Sequence, residues 1–556
     1  MDDVDAVQAQ IARNMLESGD WVTARLNGIA YLEKSPVIYW LMASSYAVFG
    51  VSDWAARIPL ALGVLALVWV TMLFGEWAFG ERAGRYAGLV IGTCIGLWLF
   101  TRIQIPDAIL TLTITLAMWA FLRALEEGGW LWPLLMWASI GIGLLLKGLI
   151  AALFPVAAAV IYLAIARGDW RRLKPLSGIA LMLLIAAPWH VLATLASPPY
   201  FDWTMKSEPG KYHGFFWFYF LNEHVFRFLN MRHPRDYNTV PRAAFWLFHL
   251  LWLFPWSAYF PALSTLRYRP VDRAGRTRLL AVCWAGFLLV FFTFSTTQEY
   301  YSMPCYPALA LLLGSAMAEQ GRWLSRGRVA TGIVALAAAL ACVGLLVANI
   351  GVDAPGDISQ ALTSNPEAYT LSLGHMGDLT VRSFAYLRLP LALAAVAFLV
   401  GAFGAMLSRT NEGAYLSVAG MMVIFFLAAK LALVAFDPYL GSRDLAKAYR
   451  EAPPGELIVD NQYYTFSSVF FYADTRALLL RGRVNNLEYG SYAPGAPNMF
   501  LDDAAFQRLW MDIRRRYVLL EGPELPRFQK LVGKEMLHLV KGSGGKYLFT
   551  NMAVEP

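Results

Sequence analysis

Apolar runs close to the length of a bilayer-crossing helix recur along most of the chain, separated by short polar and basic connections. A helix needs roughly 17–25 apolar residues to cross the hydrocarbon core. About twelve segments approach that length: 57–79, 83–101, 106–125, 131–146, 148–166, 176–195, 242–263, 279–295, 303–318, 329–350, 387–407 and 415–436. Lys147 parts the fourth from the fifth, which read as two short spans or one bent unit. Residues 1–55 are patterned differently. Val4, Val7, Ile11 and Met15 recur at spacings of three and four, which predicts an amphipathic helix on the membrane surface. In the loop 196–241 the aromatic stretch 215–228 fits an interfacial belt and predicts a second surface helix. Beyond Asp437 the runs shorten to strand length (456–459, 477–480, 517–520, 536–540, 546–550), with helical stretches at 502–516 and 525–532. Gly542 to Gly545 reads as a hairpin turn, so 437–556 is expected to form a small α/β domain.

Composition agrees with the pattern. The 556 residues are 58% hydrophobic and only 15% charged, against about 45–50% and about 25% in soluble domains. A soluble enzyme, a nucleic-acid binder and a disordered scaffold are excluded as whole-chain readings. The net charge of +7 matters by location. Threading the spans alternately collects Arg167, Arg171, Arg172 and Lys174, then Arg267, Arg269, Arg273, Arg276 and Arg278, then Arg322, Arg326 and Arg328 on one side. That side is expected to be cytoplasmic. Residues 1–55, the loops 196–241 and 351–386, and the tail then lie outside. An even span count leaves the N-terminus outside as well. A further transmembrane helix upstream, thirteen spans in all, is therefore expected; the alternative is an unusual N-out insertion. Cys94, Cys283, Cys305 and Cys342 all fall in apolar segments without a CxxC, so neither a disulfide framework nor a zinc-thiolate site is indicated.

The candidate chemistry gathers on the outer side. Asp2, Asp3 and Asp5 open the surface helix, where they either cap it or orient and deprotonate an acceptor. In Tyr31-Leu32-Glu33-Lys34-Ser35-Pro36, Ser35 as N-cap and Pro36 at the first turn predict a helix start, with Lys34 placed to attract phosphate or to snorkel toward lipid headgroups. Asp107 ends the turn Arg102-Ile103-Gln104-Ile105-Pro106; an ionisable group at membrane depth suggests function, unless it merely pairs with Arg102. Glu223, His224 and Arg227 crowd one polar segment. His224 with Glu33 is a candidate pair for a divalent metal (Zn, or Mg/Mn), or else an ordinary hydrogen-bonded histidine; His190 is ambiguous in the same way. Tyr300 and Tyr301, after Gln298 and Glu299, either donate to phosphate or sit in the aromatic belt.

Together these residues resemble the GT-C glycosyltransferases that use polyprenyl-phosphate-linked sugars, and within them the bacterial protein O-mannosyltransferase and aminoarabinose (4-amino-4-deoxy-L-arabinose) transferase families. The likeness is carried by Ala12-Arg13-Asn14-Met15-Leu16, Ser18-Gly19-Asp20-Trp21, the Tyr31–Pro36 stretch, Arg102 to Asp107, Tyr301-Ser302-Met303-Pro304-Cys305 and the C-terminal α/β domain. The resemblance implies a polytopic helical membrane protein of GT-C type in the bacterial inner membrane, its active face periplasmic and its C-terminal α/β domain extracytoplasmic. It further implies inverting transfer of a sugar from undecaprenyl phosphate to a lipid A phosphate, or alternatively to protein hydroxyls. Lys34, Arg227, Tyr31, Tyr300 and Tyr301 would bind the donor phosphate; Asp3 or Asp5, and Asp107, would be catalytic. No cofactor is required beyond the divalent metal that Glu33 and His224 would hold, and membrane lipids rather than nucleic acid are the expected partners. Two departures from the family pattern stand out. The motif aspartate falls on Val4, so it is Asp3 after a one-residue slip or Asp5; and Thr297 or Gln298 replaces a basic residue before the Tyr301 stretch. A non-enzymatic polyprenyl-sugar transporter is the competing class, but it predicts repeat symmetry and midplane charges, whereas no repeat is visible and the candidates lie at the outer interface.

Overall fold

A computed structural model describes residues 1–234, 240–295, 298–319, 321–363 and 373–553. All twelve expected segments are helical, but they do not all have the length of a span. Among the described residues seven helices are long and apolar enough to cross a bilayer: Asp53–Phe79, Asp107–Glu127, Trp170–Ala196, Arg273–Phe294, Arg322–Ala348, Arg382–Leu407 and Asn411–Leu440. An eighth crossing would need Arg242–Trp252 and Trp256–Thr265, which meet at 99°. The Lys147 question resolves as two helices, Leu131–Lys147 and Ile150–Ala166, broken at Gly148, whose φ of 70° ends the first. The expected span 83–101 is likewise split at Cys94 into Glu81–Thr93 and Ile95–Phe100.

The N-terminal helix, Asp3–Ser18, is capped as its acids predict. The Asp2 side chain accepts the Asp5 N–H at 2.9 Å, and Gly19 closes the other end in the left-handed conformation. It is not a helix lying free on a membrane. Val7, Ala9, Ile11 and Ala12 are fully buried, with the helix Val37–Phe49 on one side and the short helix Ser467–Ala473 of the C-terminal domain on the other. Ser35 does not cap the Val37–Phe49 helix either; its hydroxyl reaches the Leu144 carbonyl at 3.2 Å and the Tyr219 hydroxyl. The aromatic stretch 215–228 is helical, with a π-helix over Trp217–Phe226, but Trp217, Phe218, Tyr219, Leu221 and Phe226 are buried in the protein rather than laid on a surface.

A two-residue hairpin, β1 (Arg25–Leu26) and β2 (Ile29–Ala30), leads into the Tyr31 stretch. The C-terminal domain is a six-stranded sheet: β3 (Glu456–Asp460), β4 (Leu478–Leu480), β5 (Phe500–Leu501), β6 (Arg516–Glu521), β7 (His538–Ser543) and β8 (Lys546–Thr550). The order is β5-β4-β3-β6-β8-β7, with β3 to β6 parallel and the β7–β8 hairpin antiparallel at one edge. Parallel strands need crossovers, and the helices Ser467–Ala473 and Asp503–Trp510 supply two of them. The helix expected at 502–516 stops at Trp510 because Arg516 already begins β6. The domain packs against the rest of the chain through side chains that matter below: Tyr489 stacks on Phe218 at 4.0 Å, and Asn27 of the β1–β2 turn donates to the Ala477 carbonyl at 2.9 Å.

Candidate functional site

A cavity of about 400 Å3 opens where four structural units converge: the Tyr31–Pro36 stretch, the start of the Asp107–Glu127 helix, the break at Gly148, and the Trp217–Phe226 π-helix. Its lining combines two kinds of residue. Glu33, Lys34, Asp107, Lys147, Glu223, His224, Arg227, Tyr300 and Tyr301 are charged or polar. Leu110, Ile150, Leu153, Phe228, Phe291 and Phe292, among others, are apolar. A concave site that is mostly apolar with a few convergent polar groups is how proteins hold amphiphilic small molecules.

Most of its charges are internally matched. Buried Arg232 binds Glu33 at 3.1 Å and also Glu223, while Arg227 binds Glu223 at 2.8 Å and donates to the Tyr301 hydroxyl at 2.9 Å. Burial by itself would raise the Glu223 carboxyl, yet Arg232 and Arg227 hold it well below the ordinary carboxylate range. Lys147 pairs with Asp107 and lies 4.8 and 5.0 Å from the ring centres of Tyr301 and Tyr300, within cation–π reach. The other Asp107 oxygen is buried without a hydrogen bond among the described residues. Lys34 is different: it lines the cavity and has no hydrogen bond or ion pair with any described residue. Lys34 nonetheless acts at longer range, adding to the pull of Arg232 and Arg227 on the Glu223 carboxyl.

The C-terminal domain completes this cluster. Asn486 donates to Glu33 at 2.9 Å and to the Tyr464 hydroxyl at 2.8 Å, and the Tyr31 hydroxyl donates to Glu33 at 3.2 Å. Tyr31 is therefore a support for Glu33 and is absent from the cavity wall. His224 is also committed. Its Nε2 accepts the Leu149 N–H at 3.1 Å, which leaves Nδ1 protonated and donating to the Tyr219 carbonyl at 2.6 Å. With both ring nitrogens engaged and both Glu33 oxygens taken by Arg232, Asn486 and Tyr31, the Glu33–His224 pair does not fit a metal. Among the described residues no group of three or more His, Cys, Asp or Glu is clustered to hold one.

The three expected catalytic acids separate. Asp107 lines the cavity, and it pairs with Lys147 rather than with Arg102, which lies 3.6 Å from Asp2. Asp3 is elsewhere: it accepts from Lys546 at 2.6 Å, from Ser442 at 3.0 Å and from the Ser468 N–H at 2.8 Å, and so fastens the first helix to the C-terminal domain. It is not part of the cavity wall. Asp5 is fully buried, bound to Arg57 and to the Gln104 N–H at 2.8 Å. Burial, with Asp2 adding, pushes its carboxyl up to about 7 against the pull of Arg57. It touches the middle of the turn that carries Arg102 at one end and Asp107 at the other. Arg57 and Arg102 line a separate cleft of about 240 Å3 that shares no residue with the cavity; Asp5 lines neither space and touches the cleft's wall through Arg57. Gln298 begins the Glu299–Cys305 turn, Glu299 is buried, and Thr297 lies outside the described residues. His190 is bound to the Ala186 carbonyl of its own helix and lies outside the cavity wall.

The fold and this site define a polytopic helical membrane protein of GT-C type carrying a C-terminal α/β domain. The crystal structure of ArnT from Cupriavidus metallidurans bound to undecaprenyl phosphate superposes with a TM-score of 0.78 over 99% of this chain and 94% of that one, at 24% identity. Residues 33–191 match the family model described as dolichyl-phosphate-mannose-protein mannosyltransferase. In sequence the chain is 30% identical over 329 residues to the undecaprenyl phosphate-alpha-4-amino-4-deoxy-L-arabinose arabinosyl transferase of Aeromonas salmonicida, covering 56% of this chain and 55% of that protein. It is 29% identical to the corresponding transferase 1 of Pseudomonas fluorescens, covering 66% and 61%. The chain is thus similar to the aminoarabinose transferases in sequence and in fold, and it spans a little over half the length of these curated relatives.

Proposed function

We propose that this protein is an inverting glycosyltransferase that moves a sugar from undecaprenyl phosphate to a lipid A phosphate on the periplasmic face of the bacterial inner membrane. The observation that carries the reading is Lys34, a cation without a direct ion pair among the described residues, in a cavity whose lining joins charged groups to apolar side chains. A polyprenyl phosphate combines the same two kinds of group. Its tail fits between Leu110, Ile150, Leu153 and Phe291, and its phosphate fits against Lys34, Arg227 and the Tyr301 hydroxyl.

Breaking the sugar–phosphate bond leaves negative charge on the departing phosphate. Cations fixed where that charge develops lower the barrier more than they stabilise bound donor. Lys34 is free to take up the charge; Arg227 and Lys147 are held in place by Glu223 and Asp107 and need little reorganisation. A single displacement inverts the anomeric carbon, which requires the acceptor to approach opposite the leaving phosphate. Asp5, bound to Arg57 of the neighbouring cleft and to the Gln104 N–H of the turn that leads to Asp107, is the acid assigned to that side of the reaction. A phosphate acceptor is already largely ionised at neutral pH, so Asp5 and the open oxygen of Asp107 serve to position cationic or developing positive charge rather than to remove a proton. Transfer to protein hydroxyls is the second reading, favoured by the family model that matches 33–191; there Asp5 acts as general base. Mass spectrometry of lipid A and of extracytoplasmic proteins from cells with and without the protein separates them. Sugar on lipid A alone supports the first reading, and sugar on proteins alone overturns it.

A further inference from the structure

One segment of the C-terminal domain reaches the cluster without lining the cavity. Asn486 lies in the short helical turn Asn485–Leu487, between β4 and β5. Its amide nitrogen donates to Glu33 at 2.9 Å and to the Tyr464 hydroxyl at 2.8 Å. The contacts around it pin the turn in place. Tyr489, three residues on, stacks on Phe218 of the π-helix; its hydroxyl accepts the His213 N–H at 2.9 Å and donates to the Gly214 carbonyl at 3.0 Å. Gly490 closes on β2, where a Cβ would run into the Ala30 carbonyl, so glycine lets the two backbones meet. Upstream, the Asn27 side chain donates to the Ala477 carbonyl at 2.9 Å and accepts the Ala477 N–H at 3.2 Å.

Glu33 and Lys34 are consecutive and both line the cavity, yet Lys34 has no ion pair or hydrogen bond with Glu33. Glu33 is buried, and a neighbouring ammonium group is the natural counter-ion of a buried carboxylate. Instead, one Glu33 oxygen accepts from Arg232 at 3.1 Å, and the other accepts from Tyr31 at 3.2 Å and from Asn486 at 2.9 Å. A buried carboxylate is costly unless its lone pairs are met. Tyr31 and Asn486 meet those of the second oxygen with neutral donors, so Lys34 is not drawn in to do so.

We infer that Asn486 is a positioning residue: its amide holds the Glu33 carboxylate away from Lys34, so that Lys34 stays available to the donor phosphate. The inference rests on the donor reading above and deepens it, by giving the C-terminal domain a part in phosphate binding exerted through Glu33. With the amide removed, the freed Glu33 oxygen turns to Lys34, and the phosphate then competes with a carboxylate for one ammonium group.

The test titrates undecaprenyl phosphate into the full chain in nanodiscs, in a double-mutant cycle of Asn486→Leu and Glu33→Gln. Glu33→Gln leaves Arg232 its pair with Glu223 and removes the charge to which Lys34 would be drawn. In the native background Asn486→Leu should weaken binding about tenfold, the scale of one charge-assisted hydrogen bond. In the Glu33→Gln background the same replacement should change binding by less than about twofold. In transfer assays Asn486→Leu should raise the donor KM and leave the acceptor KM alone. Thermal unfolding is followed on each preparation; if the leucine protein does not fold, Asn486→Ser, whose hydroxyl is too short to reach Glu33, carries the same cycle. Native affinity in the single variant overturns the inference, as does an equal loss in both backgrounds, which would mean that the amide only fastens the domain. Coupled binding without sugar transfer leaves the inference standing and overturns the proposed function, whereas a native protein that does not bind undecaprenyl phosphate overturns both.

Discussion

Replacing Lys34 by alanine is the sharpest perturbation available, because its expected effects on folding and on turnover diverge. Lys34 has no direct ion pair with a described residue, and the buried Glu223 it acts on keeps Arg232 and Arg227 when Lys34 is removed. The usual large penalty for breaking a buried pair, about 3–5 kcal/mol, does not apply. Stability should move by no more than about 0.5 kcal/mol, as for substitutions away from packed or paired positions. Catalysis should respond far more strongly. Removing one preorganised donor from a developing oxyanion costs about 2.7–4 kcal/mol, or 100–1000-fold in kcat. Lys34 is the member of its cluster without a direct ion pair, which places it at the upper part of that range. Lys147, already shared with Asp107, belongs lower. The assay is transfer of sugar from purified undecaprenyl-phosphate-linked donor in proteoliposomes, with thermal unfolding measured on the same preparation. A Lys34→Ala protein that stays folded and turns over within about threefold of the native rate, under 1 kcal/mol of barrier, would refute the role given to this residue.

Four further outcomes follow from the geometry. Asp3→Asn should lower thermal stability, since it weakens the pairing of buried Lys546, and Asp3→Asn combined with Lys546→Met should recover part of the loss; a fall in kcat without a fall in stability would contradict the fastening role. Asp5, with its carboxyl pushed up to about 7, should impart an acid limb, the rate rising with pH through about 7, and the residual rate of Asp5→Asn should be flat across that window. The same shift has a sign for folding: the folded state holds the proton more tightly than the unfolded chain, so this contribution to stability is complete below about pH 4 and is lost as pH rises through 7. Unfolding temperatures of native protein and Asp5→Asn measured from about pH 5 to 8 should therefore shift progressively in favour of the variant. Gly148→Ala should damage the site, because a Cβ there would run into His224 Nε2 on a backbone with φ of 70°; loss of donor binding in that variant, read by titration with undecaprenyl phosphate, is the expected result.

What the sequence disclosed, and what it withheld, follows from how far apart the interacting residues lie. The apolar runs located the helices well, since hydropathy is a local property. It did not say which runs fall short of a bilayer; the breaks at Cys94 and Gly148 depend on packing. In the tail, short apolar runs marked β3, β4, β6, β7 and β8, while the two-residue β5 left too short a signal. Lys34, Asp107, Glu223, Arg227, Tyr300 and Tyr301 were all legible as outer-face residues and do line one cavity. Lys147 had a signal that went unused, because an ionisable residue inside an apolar run is itself informative. Arg232 and Asn486 had none: they reach Glu33 across 199 and 453 positions of chain, and no local pattern records such a contact. The choice between Asp3 and Asp5 was likewise invisible in a motif only a few residues long. Only the fold shows their different partners, Lys546 of the last strand for one and Arg57 and Gln104 for the other.

The most direct test of the proposed chemistry is a reconstituted transfer reaction followed by mass spectrometry, with undecaprenyl-phosphate-linked aminoarabinose and lipid A as the only substrates. The account predicts that each sugar gained on a lipid A phosphate is matched by one undecaprenyl phosphate released, with the anomeric centre inverted. Unchanged lipid A, or a product of retained configuration, would contradict it.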